Sequence, residues 1–168
     1  MLVNDGLGVL QLGYGIRPCN KGYLKDICFK GNYCEFDRMW LSDVLPKFSE
    51  TRIISLLMFY LKHKNKNIEY VITYADESVG NKGIIYQASN AFELPSIPVD
   101  FYLLGSGERV HPVSMYHRHK TRAIGALQNI YPDIKHIHGN KSGLRQRRYV
   151  YALNKKARKR LLGYINNN

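Results

Sequence analysis

The sequence predicts an α/β or α+β domain, a central mixed sheet flanked by helices, and three observations carry that expectation. Periodic segments follow the order strand, strand, helix, strand, helix, then strands. The chain has 168 residues, one domain's length (1–168), with no internal repeat and no linker long enough to divide it. Apolar residues make up 45%, within the globular range, so wholesale disorder is excluded. At this length a fold buries about 70% of the surface its unfolded chain exposes, enough for a sizeable core.

The elements follow in order. Gly8 to Tyr14 predicts a strand ended by Gly15 and Pro18, and 19–31 a loop or short extended piece. Tyr33 to Leu41 alternates Glu35, Asp37 and a central Arg38 against Phe36, Met39 and Trp40, a strand pattern. A helix follows, with Ser49 as N-cap, Glu50 in its first turn and Lys62, His63 and Lys64 in its last. Ile53 to Leu61 is apolar almost all round, which predicts burial on most sides. Glu69 to Ala75 is rich in β-branched and aromatic residues and predicts a strand, with Asp76 at its end. Gly80 to Gly83 turns the chain into a short helix over 84–90.

The remaining segments predict strands at 101–104 and 109–116 around Gly105-Ser106-Gly107. A helix at 121–130 is expected to align Ile124, Leu127 and Ile130, with Pro132 stopping it. Residues 148–153 predict a last strand, 155–162 a basic helix or tail, and 166–168 a frayed end.

Charge is unevenly placed. Residues 1–108 hold 11 Lys/Arg and 12 Asp/Glu, whereas 109–168 hold 14 Lys/Arg and one acid, Asp133. The excess of +12 therefore sits in the last third and points to a polyanion, nucleic acid first and an anionic membrane surface second. Cys19, Cys28 and Cys34 match no zinc spacing and cannot all pair, so they read as reduced thiols. No apolar run approaches a membrane span and Met1 to Gly6 lack the basic and apolar stretches of a signal peptide, so a soluble intracellular protein is expected.

Four groups of residues could carry chemistry. Asp76 at a strand's carboxyl end and Tyr86 ten residues on offer a proton acceptor and a proton donor, at the place where ligands sit in α/β sheets. Turn formation by Asp76 and core packing of Tyr86 is the plainer alternative. Arg38, with Ser49, Thr51 and Arg52 at a helix N-terminus, makes an anion site suited to cofactor phosphates. An ordinary cap beside a surface arginine would look the same.

The pairs His117/His119 and His136/His138 could each share a metal if on strands. Lacking a carboxylate in register, they read instead as part of a phosphate-facing surface, and no metal is expected. Finally, Lys141, Arg145, Arg147, Arg148, Tyr149 and Tyr151 interleave cations with aromatics, extended by the basic run 155–160. Cations would neutralise phosphates and aromatics stack on unpaired bases, the alternative being a solvated face with core tyrosines.

Three blocks of sequence resemble a known family. Phe36 to Asp43 with Leu45 to Arg52, and Tyr74-Ala75-Asp76, Gly80 and Gly83 to Asn90, are similar to stretches of the Mom-type adenine modification proteins of bacteriophages; 148–153 resembles their C-terminal strand. The resemblance implies a GNAT-like acyltransferase fold with its N-terminal part shortened. It implies a transferase that converts adenine in duplex DNA to N6-carbamoylmethyladenine and shields phage DNA from host restriction in the host cytoplasm. Carried over by motif, Asp76 and Tyr86 fall at catalytic positions, and Arg38 and Thr51 on the cofactor side.

The donor is left open, acetyl-CoA or a related acyl donor being candidates. Loop 42–48 holds Val44, Leu45 and Pro46 in place of a glycine-rich phosphate cradle, and no iron–sulfur or nicotinamide motif is present. Plain transfer from a thioester would leave an amide on N6, whereas the family's product joins N6 through a methylene. The expected partner is double-stranded DNA and not a membrane, with the oligomeric state open and a homodimer one option. Two alternatives stand beside this reading: a non-catalytic nucleic-acid binder on a decayed transferase scaffold, and an acyltransferase of a small amine or protein.

Overall fold

Strand alternation decides the layers of this protein. The computed structural model describes residues 7–13, 33–77 and 80–167; Tyr14, Gly15, Pro18, Cys19, Cys28 and the expected loop over 19–31 lie outside them. Two compact units form, one from Met1–Ala75, Asn81–Pro95 and Arg147–Asn168, the other from Asp76–Gly80 and Ser96–Gln146.

The first unit is built on a five-stranded mixed sheet in the order β1-β2-β3-β8-β4. Its strands are β1 (Gly8–Gly13), β2 (Tyr33–Leu41), β3 (Tyr70–Asp76), β4 (Phe92–Pro98) and β8 (Arg145–Ala152). Its helices are α1 (Ser49–Lys64), α2 (Ile84–Ala88) and α6 (Lys155–Asn166). β1 runs antiparallel to β2, from Gly8↔Leu41 to Gly13↔Glu35, with a register shift between Gln11 and Leu12. A Cβ on Gly8 would lie 2.4 Å from Leu41 Cδ2 and 2.9 Å from the Trp40 carbonyl, so the two strands close only on glycine.

β2 and β3 are parallel, joined through α1, and pair as Tyr33↔Tyr70, Cys34↔Val71 and Glu35↔Ile72. Beyond that ladder the Thr73 hydroxyl donates to the Phe36 carbonyl at 3.0 Å. On the other side of β3, Leu153 N–H donates to the Glu69 carbonyl at 2.8 Å, so β8 ends where β3 begins and the two run in opposite directions.

Successive residues of a strand face opposite sides of its sheet. Val71 and Ala75 of β3, with Tyr149 and Tyr151 of β8, join Ile54, Leu57 and Leu61 of α1 and Tyr86 of α2 in one cluster. Tyr70, Ile72 and Val150 turn the other way and meet Ala157 and Leu161 of α6. The central strands are thus covered on both faces, which is why they read as near-continuous apolar runs.

α1 departs from expectation. Ile54, Leu57 and Leu61 are buried, but Leu56 is 66% and Phe59 63% exposed, and Tyr60 is exposed too. One stripe meets the sheet, while Ile53, Leu56, Phe59 and Tyr60 line an open apolar groove of about 510 Å³ together with Leu7, Leu41 and Leu45. The sequence reading assigns no element to 92–98, where Pro95 and Pro98 argue against a strand. The sheet accepts them since β4 is its edge.

The second unit carries a three-stranded sheet, β6-β5-β7, in which β5 (Phe101–Leu103) pairs antiparallel with β6 (Arg109–Val110) and β7 (Lys135–Ile137). α3 (Pro112–His119), α4 (Ile124–Gln128) and α5 (Gly139–Ser142) complete it. Its core is Tyr102, Leu104, Val110, Met115, Leu127 and Ile134.

The strand expected over 109–116 stops after two residues. Pro112, which lacks an N–H, sits in the first turn of α3, and the His111 side chain caps that turn by accepting from Val113 N–H at 3.2 Å. The helix expected over 121–130 shortens to α4, with Leu127 fully buried and Ile130 exposed. β7 and α5 had no counterpart in the sequence reading. α6 extends further than foreseen and includes Asn166, capped by the Asn154 side chain accepting from Ala157 N–H at 2.8 Å.

Candidate active site and basic surface

At the N-terminus of α1 the cap position belongs to Phe48, not Ser49. Phe48 adopts φ 70° and makes no side-chain cap. Ser49 is the first helical residue, and its hydroxyl donates to the Pro46 carbonyl at 2.6 Å; the Thr51 hydroxyl donates to the Phe48 carbonyl at 3.0 Å. The two expected hydroxyl donors are therefore spent on backbone carbonyls. What remains toward an anion is the dipole and backbone N–H groups of the first turn. A left-handed, 70% exposed phenylalanine is strained by about 1–2 kcal/mol, a cost that clusters at functional sites. Arg38 is exposed on β2, opposite Gln11.

Upstream on β2, Cys34 is buried, and burial followed by the Asp37 and Glu35 carboxylates pushes its thiol up to about 11. It stays a protonated packing residue. Burial, then Asp37, also raises Glu35.

Tyr86 of α2 is 8% exposed and lies at the centre of an aromatic set. Phe36 meets it edge-on at 6.3 Å between centroids, and Tyr149 lies 5.3 Å away at 44°. The Tyr149 hydroxyl donates to the Lys82 carbonyl at 3.0 Å and accepts from Gln87 Nε2 at 3.2 Å. Tyr151 shares a 2.6 Å hydrogen bond with Ser89 Oγ. Burial pushes the Tyr151 phenol up to about 12, opposed by the Ser89 hydrogen bond and aided by the Tyr86 phenol. It is thus a protonated donor or acceptor throughout the physiological range.

Gly83 makes this arrangement possible. Its φ is 69°, and a Cβ there would lie 2.3 Å from the Tyr149 ring. The Asn81 side chain accepts from Gly83 N–H at 2.9 Å and fixes the turn. Asp76 closes β3, is half-buried, and belongs to the second unit.

The basic stretch divides. Tyr149 and Tyr151 share a face as expected, but that face is the core: they are 0% and 5% exposed. Stacking on a base needs an open ring face, so these two are the core tyrosines of the alternative reading. Arg148 is also buried, its Nε donating to the Pro95 carbonyl at 2.6 Å. Arg147 pairs with Glu93 at 3.1 Å, and Arg145 donates to Ser96 Oγ at 3.0 Å. On α6, Arg160 pairs with Glu69 and Arg158 lies over the Phe92 ring at 5.4 Å. Lys141, Lys155, Lys156 and Lys159 are exposed.

The histidine pairs also separate. His117 and His119 lie on α3, where i and i+2 point in different directions, and His119 meets the Tyr131 hydroxyl at 3.1 Å. His136 and His138 stay together at the end of β7, their rings 4.2 Å apart.

Sequence reasoning missed Gln87, Ser89 and Lys82 as partners of the β8 tyrosines. The signal was present in part, since Gly83, Gln87 and Ser89 surround Tyr86 in one short helix, but the partner strand lies sixty-odd positions away. Among the described residues no helix is long and apolar enough to cross a membrane.

Comparison with known proteins agrees with the resemblance drawn from these residues. The chain is 35% identical over 159 residues to the methylcarbamoylase Mom of Escherichia phage Mu. That alignment covers 94% of this chain and 63% of the relative, so the chain spans a little under two thirds of the relative's length. With the Mom protein family matching residues 3–167, nearly the whole chain from β1 to α6, this chain belongs to the Mom protein family.

Proposed function

We propose that this protein is a DNA-modifying transferase of phage origin that places a carbamoylmethyl group on adenine N6 in duplex DNA, in the host cytoplasm, on a GNAT-like scaffold. The observation that carries the reading is the family match over residues 3–167, together with a relative named methylcarbamoylase. The parallel β2–α1–β3 unit supports it, since α/β folds bind ligands beyond the carboxyl ends of such strands.

The chemistry sets what the residues must do. Adenine N6 is stacked and paired in a duplex, so the base must leave the helix to be modified. Its lone pair is delocalised into the ring, which makes the amine a weak nucleophile. In this proposal Asp76 accepts the N6 proton as the new bond forms. Tyr86 donates a hydrogen bond to the leaving group of the donor molecule, which departs with the electron pair of its bond to the methylene as the N6–methylene bond forms. Phe36 and Tyr149 pack the Tyr86 ring and fix its position. Arg38 and the uncapped turn at Ser49 and Thr51 hold the anionic part of the donor molecule, through guanidinium and backbone N–H rather than hydroxyls. Exposed Lys141, Lys155, Lys156 and Lys159 meet phosphates and orient the duplex.

The test is expression with a plasmid, digestion of the DNA to nucleosides, and mass spectrometry. Deoxyadenosine carrying a carbamoylmethyl group is expected, and its loss with Asp76→Asn and with Tyr86→Phe while duplex binding persists. Unmodified deoxyadenosine from cells containing folded protein overturns the reading. An acetyl increment in its place would make this an ordinary acyltransferase.

A further inference from the structure

The second unit is small, with three strands of two or three residues and a core of six buried side chains. Units of this size commonly need a staple beyond their apolar core. At one end of its sheet, Asp100, just before β5, meets His136 in β7 and His138 just after it. Each offers one ligand atom, and these atoms all lie within 4.8 Å of one another. Asp100 Oδ2 is 3.5 Å from His136 Nε2 and 4.0 Å from His138 Nδ1.

Those separations discriminate between two kinds of contact. A charge-assisted hydrogen bond would draw nitrogen and oxygen to about 2.7–2.9 Å. Ligands about 2.0–2.1 Å from a tetrahedral ion stand roughly 3.3–3.4 Å apart. The Asp100–His136 gap matches the second distance. His136 Nε2 is buried and has no hydrogen-bond partner among the described residues, an expensive condition for a ring nitrogen facing a carboxylate. A cation between the two would satisfy it. His138 is mostly exposed and free to close the remaining distance.

The surroundings hold these groups in place. Asp100 Oδ1 accepts from Gly139 N–H at 2.6 Å, which turns Oδ2 toward the imidazoles. A Cβ on Gly139 would come within 2.7 Å of Pro98 Cβ, so only glycine brings that N–H so close. The Tyr102 ring stacks on His136 at 4.8 Å and 27°.

We infer that Asp100, His136 and His138 form a binding site for a borderline divalent cation of the zinc type, with water completing the shell, that ties the segment before β5 to the end of β7. Two imidazoles and one carboxylate are the donor set such ions accept, whereas calcium and magnesium prefer all-oxygen shells.

The experiment uses the full chain, stripped with a chelator and titrated with Zn²⁺ alone by calorimetry, with melting followed in parallel. One equivalent should bind saturably and raise the melting temperature. His138→Ala, at an exposed position that leaves the core intact, and Asp100→Asn, which keeps an acceptor for Gly139 N–H, should each weaken binding at least tenfold. His117→Asn should bind as the parent does. Co²⁺ in place of Zn²⁺ should give visible ligand-field bands without a thiolate charge-transfer band. No saturable Zn²⁺ binding, unchanged affinity in both ligand variants, or a thiolate band from the cysteines would each overturn the site.

Discussion

Two neighbouring basic stretches look like one patch in the sequence and are not. In β8, three of the first four residues are arginines, yet each is tied to the chain itself: Arg145 to Ser96, Arg147 to Glu93, Arg148 to the Pro95 carbonyl. In α6, Arg158 and Arg160 cover aromatic rings, while Lys155, Lys156 and Lys159 stay exposed. The difference follows from geometry. A strand beside an edge strand presents its cations to the neighbour's carbonyls and carboxylates, whereas a helix packed by one stripe, Ala157 and Leu161, presents the rest of its surface to solvent. Charge counted in a sequence is therefore not charge available to a partner.

The largest break of this comparison lies at the β8 tyrosines. Tyr149→Ala removes a fully buried ring that touches Tyr86 and fills the space over Gly83. It should destabilise the fold by about 3–5 kcal/mol, read as a large fall in melting temperature. Tyr149→Phe, which deletes only the hydroxyl bonded to Lys82 and Gln87, should cost about 1 kcal/mol. A parent-like melt for the alanine protein would return Tyr149 to the surface role that its sequence context first suggested.

Next come the β8 arginines themselves. Arg148→Ala leaves the Pro95 carbonyl without its charged donor and opens a space beside β4, for a loss of about 1.5–3 kcal/mol. Arg147→Ala breaks a half-exposed pair with Glu93 and should cost under about 1 kcal/mol. Urea titration of both proteins checks the order. If Arg147 proved the costlier residue, the edge of the sheet would be held by charge pairing rather than by the buried arginine.

What was legible in the sequence was what repeats locally. β2 was bounded correctly because charged and apolar residues alternate from Tyr33 to Leu41, and α1 because an acid opens and cations close one long segment. The mixed sheet with flanking helices followed from element order alone. What was not legible depended on distant partners. Period two showed that Tyr149 and Tyr151 share a face but not which face, since the residues that cover it, Gly83, Tyr86 and Ser89, lie in another element. Proline hid β4, whose edge position becomes visible only once β8 lies beside it. His136 and His138 seemed to lack a carboxylate because Asp100 reaches them across a strand pairing of thirty-odd residues' separation.

The smallest effect on stability, and the sharpest on the comparison, belongs to the lysines of α6. Lys155, Lys156 and Lys159 are exposed, so replacing all three with alanine should change stability little, by about 0.5 kcal/mol per site or less. On the proposed duplex-binding function they are phosphate contacts. Each neutralised phosphate contributes about −0.9 to the log–log dependence of affinity on salt. The triple variant should therefore flatten that slope by about 2.7, and should weaken binding to all duplexes alike because phosphate contacts carry no sequence information. Arg147→Ala, whose guanidinium already has a carboxylate, should flatten it much less. Fluorescence anisotropy across a salt series measures both. If Arg147→Ala flattened the slope by about 0.9, as much as each α6 lysine, its pair with Glu93 would have to open on DNA, and the two stretches would act as one surface after all.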